Sequence, residues 1–236
     1  MKKLIVTHIV WLKNNMKDKV YFLLTSYLGG SNVSSKKEHL IRYIHQIRKY
    51  FPNSYILLID SINDSQLSKL CDLYICENEN YNTPYGQADL TKVKLGLSIF
   101  EGMGVKWFIR SAYDYWINDT IYNKITEWSR ILLNGYMVVV PRWQAGSFDI
   151  PYEKNSASTG YGCFTVEGAK KLFSDWEFVD NNLIVEGQFY KRILNTLNDS
   201  EYHIYNSNED MFGCMIFDVF NNRGDEINMD RLGLID

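Results

Sequence analysis

Several apolar runs in this chain close on side chains that could hold a ligand. VYFLLTS (20–26) ends in Thr25 and Ser26 with Tyr27 behind them, and SYILLIDS (54–61) ends in Asp60 and Ser61. VKWFIRSAYD (105–114) carries Arg110 and ends in Asp114. Hydroxyls donate and accept, carboxylates accept or ligate a hard cation, and a guanidinium neutralises phosphate. Any one of these would pass for a turn residue. Together they fit a nucleotide site, with one carboxylate for ribose or base and another for a metal or sugar. That holds if the runs are parallel strands, because ligands bind outside the carboxyl ends of such strands.

The elements between them support that condition. The strand at 20–26 is followed by YLGGSNVSS, a turn in which Ser34 or Ser35 can cap a helix. That helix is KEHLIRYIHQIRKYF, with Leu40, Ile41, Ile44 and Ile47 at helical spacing and Pro52 and Asn53 stopping it. After the strand at 54–61 come a short helix at 64–70 and a strand at 72–77. ADLTKVKLGLSIFEGMG then reads as an amphipathic helix closed by glycine, leading into the strand at 105–114. Further on, 118–134 reads as helix, 135–144 as strand, YGCFTVEGAKKLF as strand into helix, 185–197 as helix and 201–206 as strand. Strands apolar on both faces, alternating with helices, predict an α/β fold with a mostly parallel sheet between helical layers. No repeat or linker divides the chain, so 1–236 is expected as a single domain.

Composition narrows the function. The net charge of −3 comes without a Lys/Arg stripe, which argues against a nucleic-acid partner. Cys71, Cys76, Cys163 and Cys214 form no C-x-x-C pair, so free thiols in a reducing compartment are expected. The opening MKKLIVTHIVWLKNN is too short in its apolar run, and too polar at His8, for a signal peptide, and reads as a strand. No stretch approaches the ~20 apolar residues of a transmembrane segment, and a cytoplasmic location is expected. His8, His39 and His45 lack metal-ligand spacing. No dinucleotide, P-loop or hydrolase-elbow motif occurs.

FLLTSY, ILLIDS, NTPYGQADLTKVKLGLSIFEGMGVKWFIRSAYDYW, GYGCFTVEGAKKL and VEGQFYKRI together resemble a nucleotide-sugar glycosyltransferase of the GT-A (Rossmann-like) fold. The resemblance covers about 20–118 as a nucleotide-binding half and, more loosely, about 119–205 as an acceptor-binding half. It implies a transferase moving sugar from a nucleotide-sugar donor to a glycan or lipid-linked acceptor, as in polysaccharide biosynthesis. Thr25, Ser26, Tyr27, Asp60, Tyr85, Lys92 and Arg110 would then bind the nucleotide. Asp114 would occupy the family's Asp-x-Asp region, where Mn²⁺ or Mg²⁺ sits on the diphosphate as Lewis acid and template. SAYDYW has a single aspartate there. Either Asp114 ligates metal with help from His203, or cationic side chains such as Arg110 do the work without one. Glu186, near the start of a helix after the acceptor loop, would be the base that deprotonates the acceptor, its ionised form favoured by the helix dipole. Arg142, Trp116 and Trp143 could shape a sugar subsite.

Two rivals share the sheet. A nucleotidyltransferase would need a basic, glycine-rich loop after the first strand, and Lys36 and Lys37 stand too far along YLGGSNVSSKK. A catalytically inactive carbohydrate-binding domain would explain the single aspartate.

Overall fold

A computed structural model describes residues 19–28, 33–77, 85–113, 115, 117–141, 157–177 and 185–205. The expected N-terminal strand, Asp114, Trp116, Arg142, Trp143 and Cys214 lie outside those residues, as do the side chains of Tyr85 and Val185. In chain order the elements are β1 (Val20–Thr25), α1 (Val33–Tyr50), β2 (Ser54–Asp60), α2 (Ser65–Leu70), β3 (Leu73–Cys76), α3 (Tyr85–Gly102) and β4 (Trp107–Ala112). They continue with α4 (Asp119–Leu133), β5 (Val138–Pro141), β6 (Tyr161–Thr165), α5 (Val166–Phe173), α6 (Val185–Thr196) and β7 (Tyr202–Tyr205).

Among the described residues the seven strands form one sheet in the order β3-β2-β1-β4-β6-β5-β7. Strands β1 to β4 are parallel, β6 runs antiparallel to both β4 and β5, and β7 is parallel to β5. The carboxyl ends of all strands but β6 therefore meet at one edge, and β6 begins there.

Alternation along each strand divides the core in two. Phe22, Leu24, Ile56, Leu58 and Ile109 pack under α1 and α4 with Leu40, Ile44, Ile121 and Trp128. Leu23, Leu57, Ile59, Phe108 and Phe164 pack under α3, α5 and α6 with Val93, Phe100, Phe173 and Phe189. Helices cover both faces, so the strands read as unbroken apolar runs rather than alternating ones.

Helix α3 lies unusually close to β1. A Cβ at Gly96 would run into the Leu23 side chain, so the missing side chain lets the helix approach and brings its first turns over the strand ends. Helix α1 begins at Val33, which puts Ser34 and Ser35 inside its first turn and not before it, as a capping role required.

Candidate functional site

The site is built where β1 and β2 end. Asp60 is fully buried. Its carboxylate accepts from the Ser26 hydroxyl, from the Ser61 hydroxyl at 3.3 Å and from the backbone N–H groups of Ile62 at 3.0 Å and Leu28 at 3.4 Å. A buried carboxylate is tolerated only when its oxygens are satisfied in this way. The bonds tie the chain leaving β1 to the chain leaving β2, so Asp60 sets the course of Ser26–Leu28.

Lys92 on α3 closes the same corner. It is 2% exposed, and its ammonium donates to the Ser26 carbonyl at 2.6 Å. The Lys92 Nζ lies 5.8 Å from the centre of the Tyr27 ring, and the Lys36 Nζ lies 5.6 Å from the same centre. Lys36 was expected to stand too far along the chain to serve this loop. It does not, because α1 begins early enough for its first turn to carry the side chain back over Tyr27. Lys37 turns away and pairs with Asp64 at 2.7 Å. Two ammonium groups thus gather on one aromatic ring at the carboxyl edge, a setting suited to phosphate.

A second group lies across β4. Arg110 projects to the α3 side of the sheet and is 1% exposed. Its Nη2 donates to Asp89 on α3, and its guanidinium carbon lies 5.6 Å from the centre of the Phe173 ring. Nε and Nη1 have no hydrogen-bond partner among the described residues. The buried Thr25 hydroxyl is also unpartnered, one strand over on the same face. Glu186, half-buried in the first turn of α6, stands within reach of the charges of both Arg110 and Asp89. Burial raises its carboxyl above the ordinary glutamate value. Its own backbone N–H and Arg110 pull down, and Asp89 pushes up. The Glu186 carbonyl accepts from Ala157 N at 3.2 Å, which fixes α6 against the segment entering β6.

The residues flanking Asp114 are firmly held. Ala112 N donates to Gly160 O at 2.7 Å. Tyr115 stacks on Tyr161 with ring centres 4.6 Å apart, and its hydroxyl meets the Ser158 hydroxyl at 3.1 Å. Ile117 N donates to Gln46 Oε1 at 3.1 Å. The Tyr115 carbonyl accepts from His39 Nε2 at 3.1 Å, which places the imidazole proton on that nitrogen.

Burial, opposed by the Tyr115 bond and aided by Arg42, lowers the His39 pKa from 6.5 to about 4. The native state therefore prefers neutral imidazole, and between these values the unfolded chain binds the extra proton. Stability from this group is complete above pH 6.5 and falls as pH drops towards 4, by up to roughly 3 kcal/mol at ~1.4 kcal/mol per unit. Chemical denaturation of wild type and His39→Gln across pH 4–7 checks this: the variant should lose most of the slope in this window.

Among the described residues no group of three or more His, Cys, Asp or Glu side chains converges. His203 sits on β7 opposite Val139, its ring against Tyr136 and Tyr205 at 5.9 and 6.2 Å. Strands β6 and β5 separate β7 from β4, a backbone distance of roughly 14 Å at ~4.8 Å per strand. Sequence reasoning missed Asp89. The available signal was its position one helical turn before Lys92, which places both on the face of α3 that meets the sheet.

No protein-family model matches the sequence. No curated protein matches it either. Solved structures resemble it in shape. One is a glycosyltransferase involved in glycosylation of the major capsid of PBCV-1, at TM-score 0.49 and 12% identity, over 79% of this chain and 82% of that one. Another is CMP:2-keto-3-deoxy-manno-octonic acid synthetase complexed with CTP, at TM-score 0.49 and 9% identity, over 80% and 90%. A third is a putative nucleotide-diphospho-sugar transferase from Desulfovibrio desulfuricans G20, at TM-score 0.46 and 10% identity, over 80% and 79%. The chain is an α/β protein with a mostly parallel sheet flanked by helices, and likeness of this degree passes none of those activities to it.

Proposed function

We propose that the protein is a glycosyltransferase that moves a sugar from a nucleotide-diphosphate sugar to a glycan or lipid-linked acceptor. The observation that carries this reading is the gathering of Lys36 and Lys92 over Tyr27 at the carboxyl edge, one strand from the buried Arg110 and its two carboxylate neighbours. The lysines meet the charge of a nucleoside diphosphate, and Asp60 holds the loop that carries Tyr27 between them. Tyr85 begins the helix that supplies Lys92, and Thr25 and Arg110 line the sugar side. Glu186 takes the acceptor proton. Asp114 is the residue that would hold a divalent cation on the diphosphate.

Thermal denaturation with UDP-, GDP- and dTDP-sugars, each with Mn²⁺ and with EDTA, tests this. A donor present at a hundred times its Kd adds about 2.7 kcal/mol, which raises Tm by roughly 5–10 °C for a chain of this size. Failure of every donor to shift Tm or to be hydrolysed sinks the reading. Equal shifts with Mn²⁺ and EDTA sink the metal alone.

A nucleotidyltransferase is the second reading, favoured by the basic first turn of α1 reaching the loop after β1. Pyrophosphate release from a nucleoside triphosphate would select it.

A further inference from the structure

Helix α1 carries a second stripe beside its apolar one. His39, Tyr43, Gln46 and Tyr50 recur at steps of four, three and four, so they share one side of the helix. Each is bonded to a different point on the chain that runs from β4 to α4. Tyr43 Oη lies 2.7 Å from Ser111 Oγ. The Ser111 hydroxyl donates to the Ala112 carbonyl at 3.0 Å, which leaves Tyr43 as the donor between them. His39 Nε2 meets the Tyr115 carbonyl at 3.1 Å. Gln46 Oε1 accepts from Ile117 N at 3.1 Å, and Tyr50 donates to Asp119 at 2.9 Å. His39 and Tyr43 are buried, as are Ser111, Tyr115 and Ile117.

Apolar packing is non-directional, so Leu40, Ile44 and Ile47 hold α1 against the sheet without fixing it along its axis. Hydrogen bonds are directional and fail when a partner moves by about an ångström. The polar stripe therefore sets the axial position and the rotation of α1. A helix slipped by one residue advances ~1.5 Å and turns by about 100°. At Lys36, in the turn before His39, such a slip swings the side chain away from the Tyr27 ring that it now faces at 5.6 Å. We infer that His39, Tyr43 and Gln46 are positioning residues for the donor cleft: they lock α1 to the chain leaving β4, and so fix where its first turn carries Lys36. This rests on the reading of the Tyr27 corner as the donor phosphate site.

Nucleoside diphosphate affinity tests this on the full chain. The probe is whichever of UDP, GDP and dTDP, with Mn²⁺ or with EDTA, binds the wild type. Gln46→Met keeps the length of the side chain and removes the acceptor. Its Kd should rise about tenfold as the cleft loses its pre-ordering, and the Ile117 amide should lose protection from hydrogen exchange. Gln46→Glu retains an acceptor oxygen and should return both to near wild type. A double-mutant cycle reads the link to Lys36. Lys36→Gln should weaken binding clearly in the wild type and much less in Gln46→Met, where the lysine is no longer held in place.

Full additivity of Lys36→Gln and Gln46→Met overturns the inference. So does an unchanged Kd in Gln46→Met while Ile117 exchanges freely, which would assign the stripe to stability alone. If Gln46→Met fails to fold, Tyr43→Phe, which deletes one hydroxyl, carries the same cycle with the same expected and overturning results. Failure of the wild type to bind any of the three nucleotides is a separate result: it removes the donor reading, and the inference falls with it.

Discussion

Replacing Glu186 by glutamine is expected to lower kcat by roughly 10²–10⁴-fold, the usual worth of a positioned general base. Glutamine has the same shape and still accepts a hydrogen bond, but it cannot take the acceptor's proton. The loss should therefore appear in kcat and in kcat/KM together, with the donor KM near wild type. Two features support the proposal that Glu186 is the base. It lies in the first turn of α6, where the helix dipole favours the ionised form, and burial works against that form. The outcome is a carboxyl raised above the ordinary glutamate value by burial. Steady-state kinetics with the donor found in the thermal screen checks this. Wild-type kcat in Glu186→Gln would take the role away.

The second large effect concerns stability. Asp60→Ala should cost roughly 3–5 kcal/mol, because it removes the acceptor of four hydrogen bonds among the described residues. The buried Ser26 hydroxyl loses its acceptor, and an unsatisfied buried donor costs about 1–3 kcal/mol; the part-buried Ile62 N–H also loses its partner. The longer bonds from Ser61 and Leu28 add less. Asp60→Asn, which keeps one acceptor oxygen, should cost less than half as much. Urea denaturation of both variants separates these outcomes. A loss under about 1 kcal/mol in Asp60→Ala would mean that the loop after β1 holds its shape without the carboxylate. Donor affinity should fall with stability, since the same bonds set the position of Tyr27.

Much of this could be read from the residues, and what could not has a common cause. The strands end within two or three residues of their expected limits, because apolar runs and polar stops are local properties. VKWFIRSAYD was expected as strand to Asp114, and β4 ends at Ala112. Asp60 was recognisable as a strand-end carboxylate. That Ser26, a whole helix away in sequence, would bind it was not. The pairing of Arg110 with Asp89 depends on how closely α3 settles on the sheet, which turns on Gly96 against Leu23. The reversal of β6 left no mark either, since alternation and apolarity are the same in both directions. Lys36 was set aside by counting residues along the chain, whereas the first turn of a helix folds that distance back.

The direction of β6 also bears on how such a protein could change over evolutionary time. The chain leaves β5 at Pro141 and returns at Ala157 on the same margin of the sheet, pinned there by Ser158 N to Pro141 O at 3.0 Å. Among the described residues β5 pairs with β6 and β7 through Val138–Pro141. The entropy of closing a chain between two such fixed points grows only slowly with its length. The distance between β5 and β6 along the chain could thus change over generations without refolding the sheet that holds Arg110.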